Sequence, residues 1–396
     1  MTSLWDSFCE YAPRSEVAGY FERYPEGPGK PGLAVAFERP DEVLTLSKRT
    51  DPNEFFRATD RHLRTPRSAV VGYVGFDAVG LFEPALTHFP SGSPFPLGEF
   101  ALIRNAKPAA VPRKGRTRFR GASPPRPLRD SLDASRFGRA VRSLVRAIRE
   151  GEAFQVVLAH RREWPRPRDL LERASRLRST ERYAFFYYLK FGDREVVGAT
   201  PESVIEVRRD WAFINPIAGT LPTGAGRGSR LPLRRDPKEL AEHRMLVDLA
   251  RNDLGAVARP GTVDLVWEER RFRYARLEHL VSRVAGRLTP GAGAWRALTA
   301  AFPAGTVSGA PKIRATELLR SEEATWRGPY GGTVALLRPG GEADFALTIR
   351  SGFAAGSRLY TAAGAGIVHR SRPEREFHET LTKLAHTEAA LVGAER

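Results

Sequence analysis

From Asp236 to Gly255 the chain reads D-P-K-E-L-A-E-H-R-M-L-V-D-L-A-R-N-D-L-G, with Leu240, Met245, Leu246, Leu249 and Ala250 recurring at three- and four-residue spacing. This period predicts a helix of about five turns, capped by Asp236, opened by Pro237 and stopped by Gly255. Glu239 and Glu242 stand three apart near its start, so both carboxylates leave from one side.

Elsewhere the pattern alternates between periods. Short runs at 32–37 and 69–76 predict strands, the glycines of the second implying a close backbone approach. Phe137, Val141, Leu144, Val145 and Ile148 predict a helix capped by Asp133 or Ser135 and ending near Gly151. A strand at 154–159, a helix at 170–178 and two hairpins follow, 183–191 with 195–198 and 204–207 with 211–214. Residues 276–288, 332–337, 343–350 and 359–363 read as strands, and 295–301, 312–319 and 374–392 as helices. Hairpins stand where a parallel sheet would need crossovers, so the expected class is α+β, with large antiparallel sheets covered by helices.

Composition narrows this little. At 396 residues, 41% hydrophobic, the chain can bury a large core. Cys9 is its one cysteine, which excludes an internal disulfide and a cysteine-based zinc site and fits a reducing cytoplasm. No run reaches the roughly 18 apolar residues of a membrane helix, and Asp6 and Glu10 near the start argue against a secretory signal. The formal charge of +17 invites a rival reading as a basic nucleic-acid-binding protein. Much of that charge sits between Arg104 and Arg129, where no acid and only Phe119 for base stacking occurs. That stretch reads as a basic linker, dividing an N-terminal α/β portion (1–103) from a larger portion (130–396).

Candidate chemistry gathers in the larger portion. Glu376 and Glu379 repeat the three-residue carboxylate spacing, with Lys383 one turn on. Two such pairs facing each other suit a hard divalent cation, and magnesium fits oxygen donors better than zinc. On spacing alone, two solvated Glu pairs remain the alternative. Ala363-Gly364-Ala365-Gly366 reads as a backbone nest for an anion or else a tight turn. Gly328-Pro329-Tyr330-Gly331-Gly332 is a second glycine cluster, Arg350 ends a strand with a guanidinium suited to bidentate pairing with a carboxylate, and His279 stands alone in a strand.

Several long segments together resemble the chorismate-utilising enzymes, and among them anthranilate synthase component I. They are P-I-A-G-T (216–220), the helix at 236–255, L-E-H-L-V-S-R-V-A-G-R-L (277–288), F-P-A-G-T-V-S-G-A-P-K-I-R-A (302–315), G-P-Y-G-G (328–332), A-G-A-G-I-V (363–368) and E-F-H-E-T-L-T-K (376–383). The resemblance implies that Glu239, Glu242, Glu376 and Glu379 hold Mg²⁺ against the ring carboxylate of chorismate. It places Tyr330, Arg350 and the backbone of Gly364, Ala365 and Gly366 at the enolpyruvyl carboxylate. Thr306 and His279 fall near the reacting ring, and Glu202 matches the general acid for the departing hydroxyl. Gln155, Ala218, Gly219, Thr220 and Lys383 complete the implied substrate-binding set.

Two positions then choose among reactions. Aminodeoxychorismate synthases carry a nucleophilic lysine where this chain has Ala218; salicylate and isochorismate synthases carry a water-activating lysine where it has Gln155. Ammonia is the implied nucleophile and anthranilate with pyruvate the implied product, an aminodeoxychorismate or aminodeoxyisochorismate synthase being the alternative. Cys9 lies in no glycine-rich elbow, so a separate glutamine amidotransferase subunit is the expected ammonia source. The Leu-Leu-Glu-Ser motif of tryptophan-regulated members is absent from residues 1–103.

Overall fold

In the computed structural model of the chain, residues 3–24, 31–86, 92–112, 124–180, 183–222, 237–274, 277–323 and 325–393 are described, without the side chains of 180, 218–222, 237–239, 273–274 and 277–279. Their backbone forms two ten-stranded sheets, antiparallel at every pairing. The first runs β16 (Gly309–Ala310), β8 (Gln155–Pro165), β20 (Arg358–Ile367), β19 (Ser351–Ala355), β10 (Arg194–Thr200), β9 (Phe185–Phe191), β1 (Val17–Arg23), β2 (Gly32–Glu38) and β6 (Ala109–Val111), with β7 (Arg129–Asp130) beside β8. The second runs β13 (Ile217–Pro222), β15 (Leu277–Arg287), β12 (Trp211–Ile214), β11 (Ser203–Arg208), β18 (Glu342–Leu347), β17 (Thr333–Arg338), β4 (Ala69–Val74), β5 (Gly98–Ile103) and β3 (Glu42–Leu46), with β14 (Asp264–Tyr274) beside β15.

The helices are α1 (Leu4–Tyr11), α2 (Pro52–His62), α3 (Val79–Phe82), α4 (Ala134–Arg149), α5 (Leu170–Thr180), α6 (Pro237–Gly255), α7 (Ala294–Ala301), α8 (Lys312–Glu323) and α9 (Pro373–Leu391). One apolar layer lies between the sheets, where Phe21, Tyr187, Leu189 and Phe353 of the first meet Val71, Tyr73, Val334 and Leu336 of the second. The outer face of the first sheet packs on α1, α5 and the end of α9. The outer face of the second packs on α2, α6 and α7, with Trp295 stacked on Phe56 at 4.8 Å. The α+β class expected from the hairpins is the class observed. Strands preceding the basic segment enter both sheets and pair there with strands that follow it, as β1 does with β9 and β4 with β17.

Most elements stand where periodicity puts them. Asp133 caps α4 by accepting from the Arg136 N–H, and the hairpins turn at Gly192 and Arg209, both at positive φ. Asp236, the expected cap of α6, lies outside the described residues.

Two expectations need correction. The strand placed at 343–350 ends at Leu347, and Arg350, at φ 54°, ends no strand. The reason is topological: β18 belongs to the second sheet and β19 to the first, so Thr348–Arg350 must cross between layers. Gly364 and Gly366 lie inside the extended strand β20, paired with Ala159 and Val157, and form neither a turn nor a nest. Close packing explains their lack of side chains. A Cβ on Gly364 would lie 2.9 Å from Val157 Cγ1, and one on Gly366 2.3 Å from Gln155 Nε2.

Candidate active site at the sheet crossovers

The chain crosses between sheets at two adjacent places. It leaves β10 for β11 through Pro201 and Glu202, and leaves β18 for β19 through Thr348–Arg350. Backbone bonds tie the crossings together: the Leu347 N–H donates to Glu202 O at 3.0 Å, and the Ala199 N–H to Arg350 O at 3.3 Å. Each crossing carries one expected site residue.

Glu202 is buried, and its carboxylate Oε1 accepts from Thr306 Oγ1 at 2.5 Å. Burial pushes its carboxyl up to about 7, against the opposing pull of the Thr306 hydroxyl and the Lys383 ammonium. It is a carboxyl able to hold its proton near neutrality. Thr306 comes from the loop after α7, which docks on β8 through the Val157 N–H to Ser308 O at 2.9 Å and the Phe154 N–H to Ala310 O at 2.8 Å.

Strand β20 is the floor between the two expected carboxylate helices. On one side Gln155, buried at the start of β8, approaches Gly366 and donates from Nε2 to Glu242 Oε1 of α6 at 3.3 Å. On the other, Lys383 of α9 donates to Gly364 O at 2.9 Å and pairs with Glu379 Oε1 at 2.8 Å. Glu376 is buried one turn earlier on α9. Tyr330 is buried with its hydroxyl against Gly364, and burial raises it to about 12, so it is a neutral phenol.

The structure therefore brings Gln155, Glu202, Glu242, Thr306, Tyr330, Arg350, Gly364, Ala365, Gly366, Glu379 and Lys383 into one linked region. The side chains of Ala218, Gly219, Thr220, Glu239 and His279 lie outside the described residues; His279 is placed only by backbone register, opposite Phe272. Among the described residues no three His, Cys, Asp or Glu side chains form a closed metal-binding group. The donors present on α6 and α9 are carboxylate oxygens, the chemistry a hard cation such as Mg²⁺ takes.

Among the buried charged residues that went unread in the sequence, Asp77, Glu323 and Arg327 lie beside these elements. Their one signal is the four-residue Glu323–Arg327 spacing, which on a helix end reads as a solvated pair. The net charge also looks different in three dimensions. Arg178 pairs with Glu22 at 2.6 Å, Arg194 with Glu99 at 2.6 Å and Arg162 with Glu388 at 2.7 Å, so part of it is neutralised internally. No helix among the described residues is long and apolar enough to cross a membrane.

This architecture is shared by solved enzymes. The crystal structure of anthranilate synthase component I from Streptococcus pneumoniae superposes with a TM-score of 0.78 at 27% identity, covering 92% of this chain and 93% of that one. A putative 2,3-dihydroxybenzoate-specific isochorismate synthase from Bacillus anthracis has the same fold, with a TM-score of 0.76 at 18% identity over 98% of this chain and 99% of that one. The family model described as chorismate binding enzyme matches residues 24–388. The chain belongs to that family. An anthranilate synthase component 1 of Saccharolobus solfataricus is 36% identical over 346 residues, 82% of this chain and 81% of that protein. Another, of Methanothermobacter thermautotrophicus, is 46% identical over 240 residues, 60% of this chain. The match spans about half of that relative's length, 52%.

Proposed function

We propose that this chain is the aminating large subunit of an anthranilate synthase, converting chorismate and ammonia to anthranilate, pyruvate and water in the cytoplasm. The observation that carries the reading is the buried Glu202 carboxyl, raised to about 7 and hydrogen-bonded by Thr306. Ammonia adds to ring carbon 2, the double bonds shift, and the hydroxyl on carbon 4 leaves with the Glu202 proton as water. Loss of the carbon 2 proton and of the enolpyruvyl oxygen as pyruvate then gives the aromatic ring. Gln155 in place of a water-activating lysine favours ammonia over water as nucleophile, and the identity to anthranilate synthase relatives supports the same choice.

Arg350 and the neutral Tyr330 phenol beside Gly364 supply donors for a substrate carboxylate. Glu239, Glu242, Glu376 and Glu379 would hold Mg²⁺, which when bound neutralises the second carboxylate. Ammonia arrives from a separate glutamine amidotransferase subunit. The deciding assay gives the purified chain chorismate, Mg²⁺ and either ammonium or glutamine, and follows anthranilate fluorescence. Anthranilate from ammonium alone is expected. A non-aromatic amino product would make the chain an aminodeoxychorismate or aminodeoxyisochorismate synthase, and glutamine-driven turnover without a second subunit would end the partner assignment.

A further inference from the structure

Arg327 is buried at 5% exposure, and its side-chain hydrogen bonds among the described residues go neither to the crossovers nor to β20. Its guanidinium donates in four directions. Nε reaches Glu323 Oε2 at 2.8 Å, Nη1 reaches Val307 O at 2.6 Å, and Nη2 reaches both Val157 O at 2.8 Å and Glu323 Oε1 at 2.5 Å. Glu323 also accepts from the Ala159 N–H at 2.9 Å. The backbone of Arg327 is held as firmly as its head. Its N–H and that of Gly328 donate to the two oxygens of buried Asp77, at 3.1 and 2.9 Å, while the Phe76 N–H donates to Gly328 O at 2.8 Å.

The carbonyls so gripped are not arbitrary. Val307 follows Thr306 in the chain, Val157 pairs with Gly366 across β8 and β20, and the backbone fixed by Asp77 leads directly into Tyr330. A buried ion pair is a poor source of stability, since apolar residues of equal volume usually do as well. What a guanidinium offers instead is a rigid planar fork that fixes several acceptors in one geometry.

We propose that Arg327, fixed by Glu323 and Asp77, is a positioning residue that sets the Thr306 hydroxyl against Glu202 and keeps the Tyr330 loop in register with β20. This rests on Glu202 being the acid of the reaction proposed above, and it adds the device that places that acid's partner.

The test replaces the fork but keeps the charge, with Arg327→Lys, and reads Glu202 directly by carboxyl ¹³C NMR titration, the signal being assigned with Glu202→Gln. The Thr306 bond favours ionised Glu202, as does Lys383. Loosening that bond in folded Arg327→Lys is therefore expected to raise the Glu202 midpoint by about one pH unit, the worth of one hydrogen bond to a charged group. Thr306→Val should do the same. In the ammonia-dependent assay kcat should fall at least about tenfold while KM for chorismate moves less than about threefold. An unchanged Glu202 titration in folded Arg327→Lys overturns the proposal. If that variant does not fold, Glu323→Gln gives the same readout with the guanidinium retained, and collapse of both assigns the cluster to folding alone, which also overturns it. A native chain that makes no anthranilate while the NMR shift appears would sink the functional reading and leave the positioning role standing.

Discussion

Thr306 Oγ1 lies 2.5 Å from Glu202 Oε1, although the two residues are 104 positions apart and come from different layers. The contact joins a loop docked on the first sheet to the crossover between both. Because Glu202 must carry a proton to release water, kcat at constant free ammonia should be flat below neutrality and fall as pH rises through about 7. Thr306→Val removes a bond that favours the ionised form, so its falling limb should move to higher pH. Glu202→Gln should lower kcat roughly 100- to 10,000-fold at every pH. A profile unchanged by Thr306→Val would separate this pair from the chemistry.

The same carboxyl has a thermodynamic signature. Its folded value, about 7, lies above the ordinary 4.5, so the folded state binds its proton more tightly than the unfolded one. Stability from this group is full below pH 4.5 and is lost as pH rises through about 7, with a ceiling of about 3 kcal/mol. Glu202→Gln escapes that loss. Urea midpoints should be similar for native and variant chains at pH 4.5 and higher for the variant at pH 8. Equal pH dependence in both would show that Glu202 ionises as freely folded as unfolded.

Gly309 opens β16 at the end of the Thr306 loop, and its close neighbours are fixed, unlike the Leu249 side-chain end that crowds Gly305. Gly309 sits at φ 132°, and a Cβ there would meet Gln155 O at 2.2 Å and Ala315 Cβ at 2.8 Å. Neither neighbour can swing aside, one being backbone and the other a short side chain. Gly309→Ala should cost more than about 2 kcal/mol and depress activity by shifting Thr306. Gly151→Ala, at φ 87° with nothing within 4 Å, is the control and should cost only about 1 kcal/mol. Matching denaturation midpoints for the two variants would refute the crowding argument.

The elements legible beforehand were those with a strong local period. α4, α6, α9 and the β9–β10 and β11–β12 hairpins announced themselves through apolar spacing and turn residues. β1 and β5 were not seen, because a strand buried along nearly its whole length shows no alternation. β14, which forms a hairpin with β15, was hidden by its charged run Glu268–Arg271. The site was legible as motifs but not as geometry. Gly364 and Gly366 read as a nest or a tight turn, since glycine lets the backbone bend and approach an anion, whereas their true cause, Gln155 and Val157 pressing on β20, comes from more than 200 residues away. Arg327 was invisible for a different reason: at i,i+4 from Glu323, a buried pair and a solvated one are spelled alike.

Glu242 offers the sharpest test of the metal reading, because its carboxylate is described while that of Glu239 is not. It faces Gln155 Nε2 at 3.3 Å, a long bond that leaves most of its acceptor capacity for another partner. If α6 and α9 hold Mg²⁺ between them, Glu242→Ala should raise the Mg²⁺ concentration for half-maximal turnover at least about 100-fold, and calorimetric Mg²⁺ binding should weaken in parallel. Gln155→Ala removes only the group that orients that carboxylate, so a loss of roughly 10- to 100-fold is the most it should produce. Glu242 is only half-buried and belongs to no ion pair among the described residues, so its removal should leave the thermal midpoint within a few degrees of the native chain. Unaltered Mg²⁺ dependence in a folded Glu242→Ala chain would return α6 to a helix with a polar face, and the cation would have to be sought from Glu376 and Glu379 alone.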